Sequence, residues 1–175
     1  MIYKNTIFKG AYVVEVEKKE DERGFFARVW DAEELKRNGL NSKIVQSSIS
    51  FNKKRGTIRG IHYQAEPFSE DKFVRVTKGA AYYVMVDIRN DSETFKKHFG
   101  IELSSDNHFT LYVPKGIALG FVTLKDNTEI YYQMSQVFVP NAARGIRWDD
   151  PELAIKWPLK PVVISEKDNN LPYFS

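Results

Sequence analysis

The chain has 175 residues, 42% hydrophobic and 28% charged, enough for one domain of ordinary size that buries its core without disulfides or a structural metal. It has no cysteine, which excludes disulfide scaffolds, zinc ribbons, iron–sulfur clusters and thiol nucleophiles. Its 26 Lys and Arg against 23 Asp and Glu give a net charge of +3 with the signs interleaved, a balance that suits an anionic small molecule and lacks the dense basic face that nucleic acid requires.

The amino-terminal stretch MIYKNTIFKGAYVVEVEKK alternates apolar and polar residues and has no continuous hydrophobic block of a secretory signal, so the expected location is the cytoplasm. No apolar run approaches the roughly 20 residues needed to cross a bilayer, and no membrane partner is expected. From there most of the chain follows period two, the mark of strands with one buried face. Strands are predicted at 10–17, 24–30, 44–50, 57–64, 97–103, 108–113, 120–124 and 129–138. Between them, FVRVTKGAAYYVMVDIR reads as a hairpin. In it Phe73, Arg75 and Thr77 alternate with Val74 and Val76, and a second apolar row of Tyr82, Val84, Val86 and Ile88 follows Lys78-Gly79.

Only DAEELKRNG, residues 31–39, reads as a clear helix, with Asp31 as cap, Glu34 completing a capping box and Gly39 as a left-handed stop. A second short helical turn is expected from Ser165. The one basic cluster, Lys53-Lys54-Arg55, reads as a solvated hairpin tip. With no linker, low-complexity segment or repeat, residues 1–175 form a single domain, and many short strands with tight turns predict an all-β antiparallel sandwich or jelly roll.

His62, in RGTIRGIHYQAEPF, is one of three histidines and poses the functional question: reactive base, metal ligand or core ring. A metal site in a β-barrel needs several converging ligands, commonly His-x-His on one strand face. Here Gln64 occupies the second position after His62, and His98 and His108 stand in polar contexts far along the chain, so no metal is expected. A lone histidine is most often a hydrogen-bonded core ring. Against that, Gly60, His62 and Gln64 share one strand face, with Arg59, Ile61 and Tyr63 on the other unless a bulge intervenes. A face of Gly, His and Gln fills a core poorly and suits a pocket.

The stretch RGIHYQAEPFSEDKFVRVTKGAAYYVMVDIR resembles the heart of the dTDP-4-dehydrorhamnose 3,5-epimerase family, jelly-roll proteins of the cupin superfamily. The likeness extends to DERGFF (21–26), VPKGIALGF (113–121), IYYQMSQVFVP (130–140), RGIRWDDPELAIKWP (144–158) and ISEKD (164–168), in order along nearly the whole chain. The resemblance implies an isomerase that inverts carbons 3 and 5 of a nucleotide-linked 4-keto-6-deoxyhexose with no metal and no redox cofactor. Because a proton beside a ketone is weakly acidic, that reaction needs a base on one face of the sugar, a positive or hydrogen-bonding group at the enolate oxygen, and an acid on the opposite face.

By this match His62 is the base, Asp168 the carboxylate that orients the imidazole, Lys72 the ammonium facing the keto oxygen and Tyr132 the acid. Taken singly, Asp168 reads equally as a surface pair, Lys72 as solvated and Tyr132 as core; matched together they do not. Arg59 matches a diphosphate ligand and Gln46 a pocket-lining amide. Arg23 and Phe26 match residues that reach the neighbouring subunit's nucleotide, which implies a homodimer.

Five matched positions depart from the family pattern. Leu119 replaces histidine, Arg28 glutamate, Ser48 asparagine, Phe138 tyrosine and Ala143 glutamate. They cluster around nucleotide and phosphate recognition while the four chemical residues remain, so the chemistry is expected to be kept and the ligand altered. A single-carbon epimerase or ketoisomerase on another nucleotide sugar, and a non-catalytic sugar-nucleotide-binding cupin, are the competing readings.

Overall fold

The computed structural model describes residues 1–174. In chain order the elements are β1 (Ile2–Asn5), β2 (Tyr12–Glu15), β3 (Lys19–Asp21), β4 (Gly24–Phe26), α1 (Ala32–Arg37), β5 (Gln46–Asn52), β6 (Ile58–Gln64), β7 (Lys72–Lys78) and β8 (Ala80–Asp87). They continue with β9 (His98–Ser104), β10 (Thr110–Val113), β11 (Ile117–Thr123), β12 (Thr128–Met134), β13 (Ala143–Gly145) and α2 (Glu166–Asn169). A six-stranded sheet ordered β1-β2-β10-β7-β12-β5 faces a five-stranded sheet ordered β13-β6-β11-β8-β9, and β3 and β4 form a separate hairpin. The result is an antiparallel sandwich with two short helices, as the alternating patterns predict.

The main core lies between the sheets. Val74, Val76, Leu111, Val113 and Ile130 from one sheet meet Tyr83, Met85, Leu119 and Phe121 from the other. Each sheet is also covered outside. Phe73 and Tyr112 pack under Leu35 of α1, while Ile61, Val84, Val86 and Ala118 pack under the carboxy-terminal residues Ile146, Leu153 and Trp157. The five-stranded sheet is therefore buried on both faces, so β11 is buried at every position and its sequence shows no alternation.

Several local expectations need correction. The Lys78-Gly79 turn is a corner, not a hairpin: β7 and β8 belong to different sheets, and Val76 and Tyr83 meet across the core instead of pairing. Period two reveals which face is buried but not which strand lies alongside. Lys53, Lys54 and Arg55 are exposed, but they lie on a link from β5 in one sheet to β6 in the other, so they too are no hairpin tip. The 24–30 segment ends as a strand at Phe26, and β1, β3 and β13, each of three or four residues, fell outside the predicted strands.

The helix at 31–39 forms over Ala32–Arg37, with the Asp31 carboxylate accepting from the Glu33 and Glu34 backbone amides. Glu34 does not close a capping box; its Oε1 lies 2.8 Å from the Met1 amine, a stronger attraction than a backbone N–H offers. No helix among the described residues is long and apolar enough to cross a membrane.

Candidate active site

The site begins with an irregularity in β6. Leu119 of β11 pairs with His62 and Phe121 pairs with Arg59, so two steps on β11 (121 − 119) span three on β6 (62 − 59). The extra residue reverses the alternation. Ile61 turns into the outer core, and Arg59 and His62 both line the interior. The bulge thus puts Arg59 on the histidine's face, opposite to the regular-strand expectation. Gly60 makes this possible: its φ is +96°, and a Cβ there would stand 2.8 Å from the Leu119 carbonyl oxygen and 2.9 Å from the Gly120 Cα.

Asp168, 106 positions further on, reaches the same point from α2, where the Ser165 hydroxyl accepts the Asp168 backbone amide at 3.1 Å. Asp168 Oδ1 lies 2.7 Å from His62 Nε2, and Oδ2 accepts the Gly60 N–H at 3.1 Å. Burial pushes the Asp168 carboxyl upward, but the His62 hydrogen bond and charge and the Gly60 amide outweigh it and hold the group below the usual carboxylate range. An ionised carboxylate only accepts. Nε2 therefore carries the proton of a neutral ring, which leaves Nδ1 as its basic nitrogen.

Tyr132 comes from β12 in the six-stranded sheet, between Val74 of β7 and Ser48 of β5, and so faces His62 from the other wall of the sandwich. Lys72 opens β7 beside it, and its Nζ lies 2.9 Å from Glu70 Oε1 with both side chains largely buried. These three residues stand where two cavities meet. An inner chamber of about 210 Å³ is lined by Arg59, His62, Lys72, Tyr83, Leu119 and Tyr132 among others. An outer cavity of about 500 Å³ adds Gln46, Ser48, Phe138, Ala143, Arg144 and Lys167.

The remaining candidates divide. Arg59 donates from Nε to Asn52 Oδ1 at 2.9 Å, and Gln46 Oε1 accepts the Phe138 backbone amide at 2.6 Å. Gln64 is no free pocket amide: it bonds Phe68 O, Val137 O, Glu70 Oε2 and the Val139 N–H, clamping two loops. Arg23 and Phe26 line neither of these two cavities. Arg23 is paired with Asp21 on the exposed β3–β4 hairpin, and Phe26 is 64% exposed beside Arg75 and His108. Arg28 is held by the capping Asp31 at 2.8 Å.

Glu70, Tyr83, Arg144 and Lys167 escaped the sequence reading. Glu70, two residues before Lys72 on an extended chain, carried a same-face signal; Lys167 adjoins a matched residue. Tyr83, inside an apolar strand, carried none.

A profile of the family described as dTDP-4-dehydrorhamnose 3,5-epimerase matches residues 5–175. The chain is 41% identical over 153 residues to the dTDP-4-dehydrorhamnose 3,5-epimerase of Sinorhizobium fredii, covering 87% of this chain and 78% of that protein. Its fold superposes with a TM-score of 0.95 on the Bacillus anthracis enzyme of that name with TDP and PPi bound, at 39% identity and covering 99% of each chain. A Legionella pneumophila epimerase in complex with dTDP-4-keto-L-rhamnose superposes with a TM-score of 0.90, at 32% identity, covering 99% of this chain and 98% of that one.

Proposed function

This chain belongs to the dTDP-4-dehydrorhamnose 3,5-epimerase family, and from that premise we propose that it epimerises a dTDP-linked 4-keto-6-deoxyhexose through an enolate. His62 Nδ1 removes the proton beside the ketone, and Asp168 steadies the imidazolium that forms. The Lys72 ammonium offsets charge on the enolate oxygen, and Tyr132 returns a proton to the opposite face. Arg59 meets the ligand where sugar joins diphosphate, Arg144 and Lys167 supply positive charge around the outer cavity, and Gln46, Ser48 and Phe138 line the nucleotide side.

The observation that carries this reading is the pair of proton-transfer groups on facing sheets: His62 from β6 and Tyr132 from β12 border the same chamber. Incubation with dTDP-4-keto-6-deoxyglucose in heavy water is expected to add two deuterons per sugar. If thymidine-, cytidine-, guanosine- and uridine-linked 4-keto sugars all remained unlabelled, the reading would fall. Tyr132→Phe is expected to lower the rate of epimerisation at least about a hundredfold while TDP affinity changes little, the size of a lost acid catalyst.

Leu119 favours a second reading. An apolar side chain on the chamber wall removes a donor that would hold the sugar, and inversion of one carbon, with uptake of one deuteron, follows if the ring can bind in only one orientation. The homodimer belongs to the same proposal, supported by Arg23 and Phe26 projecting away from their own site and by Ile49 and Phe51 standing 62% and 47% exposed on edge strand β5. So does a cytoplasmic location.

A further inference from the structure

Tyr83 is the one buried ionisable group of the inner chamber that the mechanism above does not use. It stands on β8 opposite Phe121, 2% exposed, with its ring stacked at a tilt 5.1 Å from that of Phe121. Its hydroxyl receives no hydrogen bond from any described residue, and burial first, then the neighbouring Tyr132 phenol, pushes its ionisation well above the ordinary tyrosine value. That leaves the phenolic O–H free to donate to a ligand in the chamber its side chain lines.

At about 210 Å³ the chamber is smaller than the usual pocket for a drug-sized ligand, so it takes one ring and leaves the nucleotide to the outer cavity. Apart from the base His62 and the acid Tyr132, its polar lining is Ser50, Arg59, Lys72 and Tyr83. Asn52 holds Arg59, and Glu70 at 2.9 Å partly neutralises Lys72 before any substrate arrives. A half-neutralised ammonium is a weak sole support for an oxyanion.

We propose that the Tyr83 hydroxyl is a second donor to the C4 oxygen of the sugar, sharing the enolate charge with Lys72. Burial suits it to that task, because the phenol stays neutral and can only donate to an anionic oxygen. The inference rests on the epimerase reading and deepens it. The ketone lies between carbons 3 and 5, so one enolate oxygen serves both proton transfers, and a donor to it accelerates both.

Tyr83→Phe removes the hydroxyl and keeps the ring. Its exchange rates at the two carbons, or at the one carbon exchanged by the wild type, are expected to fall together by about ten- to a hundredfold, with TDP affinity unchanged. The melting temperature of the ligand-free protein is expected to hold or rise, since no protein partner is lost. A loss confined to one of two exchanging carbons would mean contact with another sugar oxygen, a lowered melting temperature would mean a structural role, and unchanged exchange would mean none; each overturns the proposal.

A second measurement keeps the test independent of turnover. In a Tyr132→Phe background with bound dTDP-4-keto-6-deoxyglucose carrying 13C at C4, the carbonyl stretch is expected to move to higher frequency when Tyr83 becomes Phe. An unmoved stretch overturns the donor. If the wild type exchanges nothing yet the stretch moves, the epimerase reading fails while the Tyr83 contact stands.

Discussion

Asp168 holds His62 at 2.7 Å and the Gly60 amide at 3.1 Å with one buried carboxylate, so tautomer, ring orientation and strand bulge are secured by the same group. Asp168→Asn keeps the shape but replaces an acceptor-only group with one that can present a donor to the ring. We expect kcat to fall about a hundredfold or more with KM little changed, measured by steady-state epimerisation. The folded carboxyl ionises below its ordinary value, so its contribution to stability is complete above the unfolded pKa and is lost as pH falls through the folded one. Melting curves of Asp168→Asn should therefore lose part of the wild type's acid-side dependence below about pH 4. At Gly60 a methyl group would meet the Leu119 carbonyl oxygen at 2.8 Å with φ at +96°. Gly60→Ala is expected to cost about 2 kcal/mol or more in urea unfolding and to lower activity further by displacing His62.

Among the elements, β8 shows how an end is tied down. Asp87, fully buried at its last residue, accepts from the Arg89 guanidinium at 2.7 and 2.8 Å and from the Ser92 and Thr94 hydroxyls at 2.6 Å. Burial pushes its carboxyl up, but these donors more than compensate and lower it to about 2. The stabilisation is therefore complete above about pH 4 and fades as pH approaches 2, a contribution of about 2–3 kcal/mol. Asp87→Asn is expected to lose about that much at pH 7 and to become less acid-sensitive, checked by urea unfolding at pH 7 and pH 3. Element boundaries were legible where a residue-level cause existed, as at Asp31 and Ser165, whose side chains accept backbone amides of the helices they precede. β13 was not legible, because Ala143–Gly145 is a strand only through pairing with β6.

For the whole molecule, Ile49 and Phe51 expose apolar surface on the outer face of β5, an edge strand, and the β3–β4 hairpin carries Phe25 and Phe26 into solvent. One 20.3 kDa chain leaves these patches uncovered, and a second copy is the proposed cover. Light scattering is expected to give twice the chain mass, and the double change Ile49→Asp with Phe51→Asp to halve it. A wild-type mass of one chain would remove the shared-site reading of Arg23 and Phe26.

The sequence by itself determined the all-β class and the family, because side-chain alternation and motif order are local properties written directly in the chain. It also singled out His62 by the strand face it shares with Gly60 and Gln64, and Lys72, Tyr132 and Asp168 only by resemblance, since nothing in residues 62 and 168 alone says that they touch. Tertiary structure decided the rest. It turned an assumed hairpin at Gly79 into a corner between sheets, brought Arg59 onto the histidine's face through a bulge, paired Lys72 with Glu70, and aimed Tyr83 from an apolar strand into the chamber. Each depends on which strand lies beside or across from another, and period-two patterning does not encode that choice.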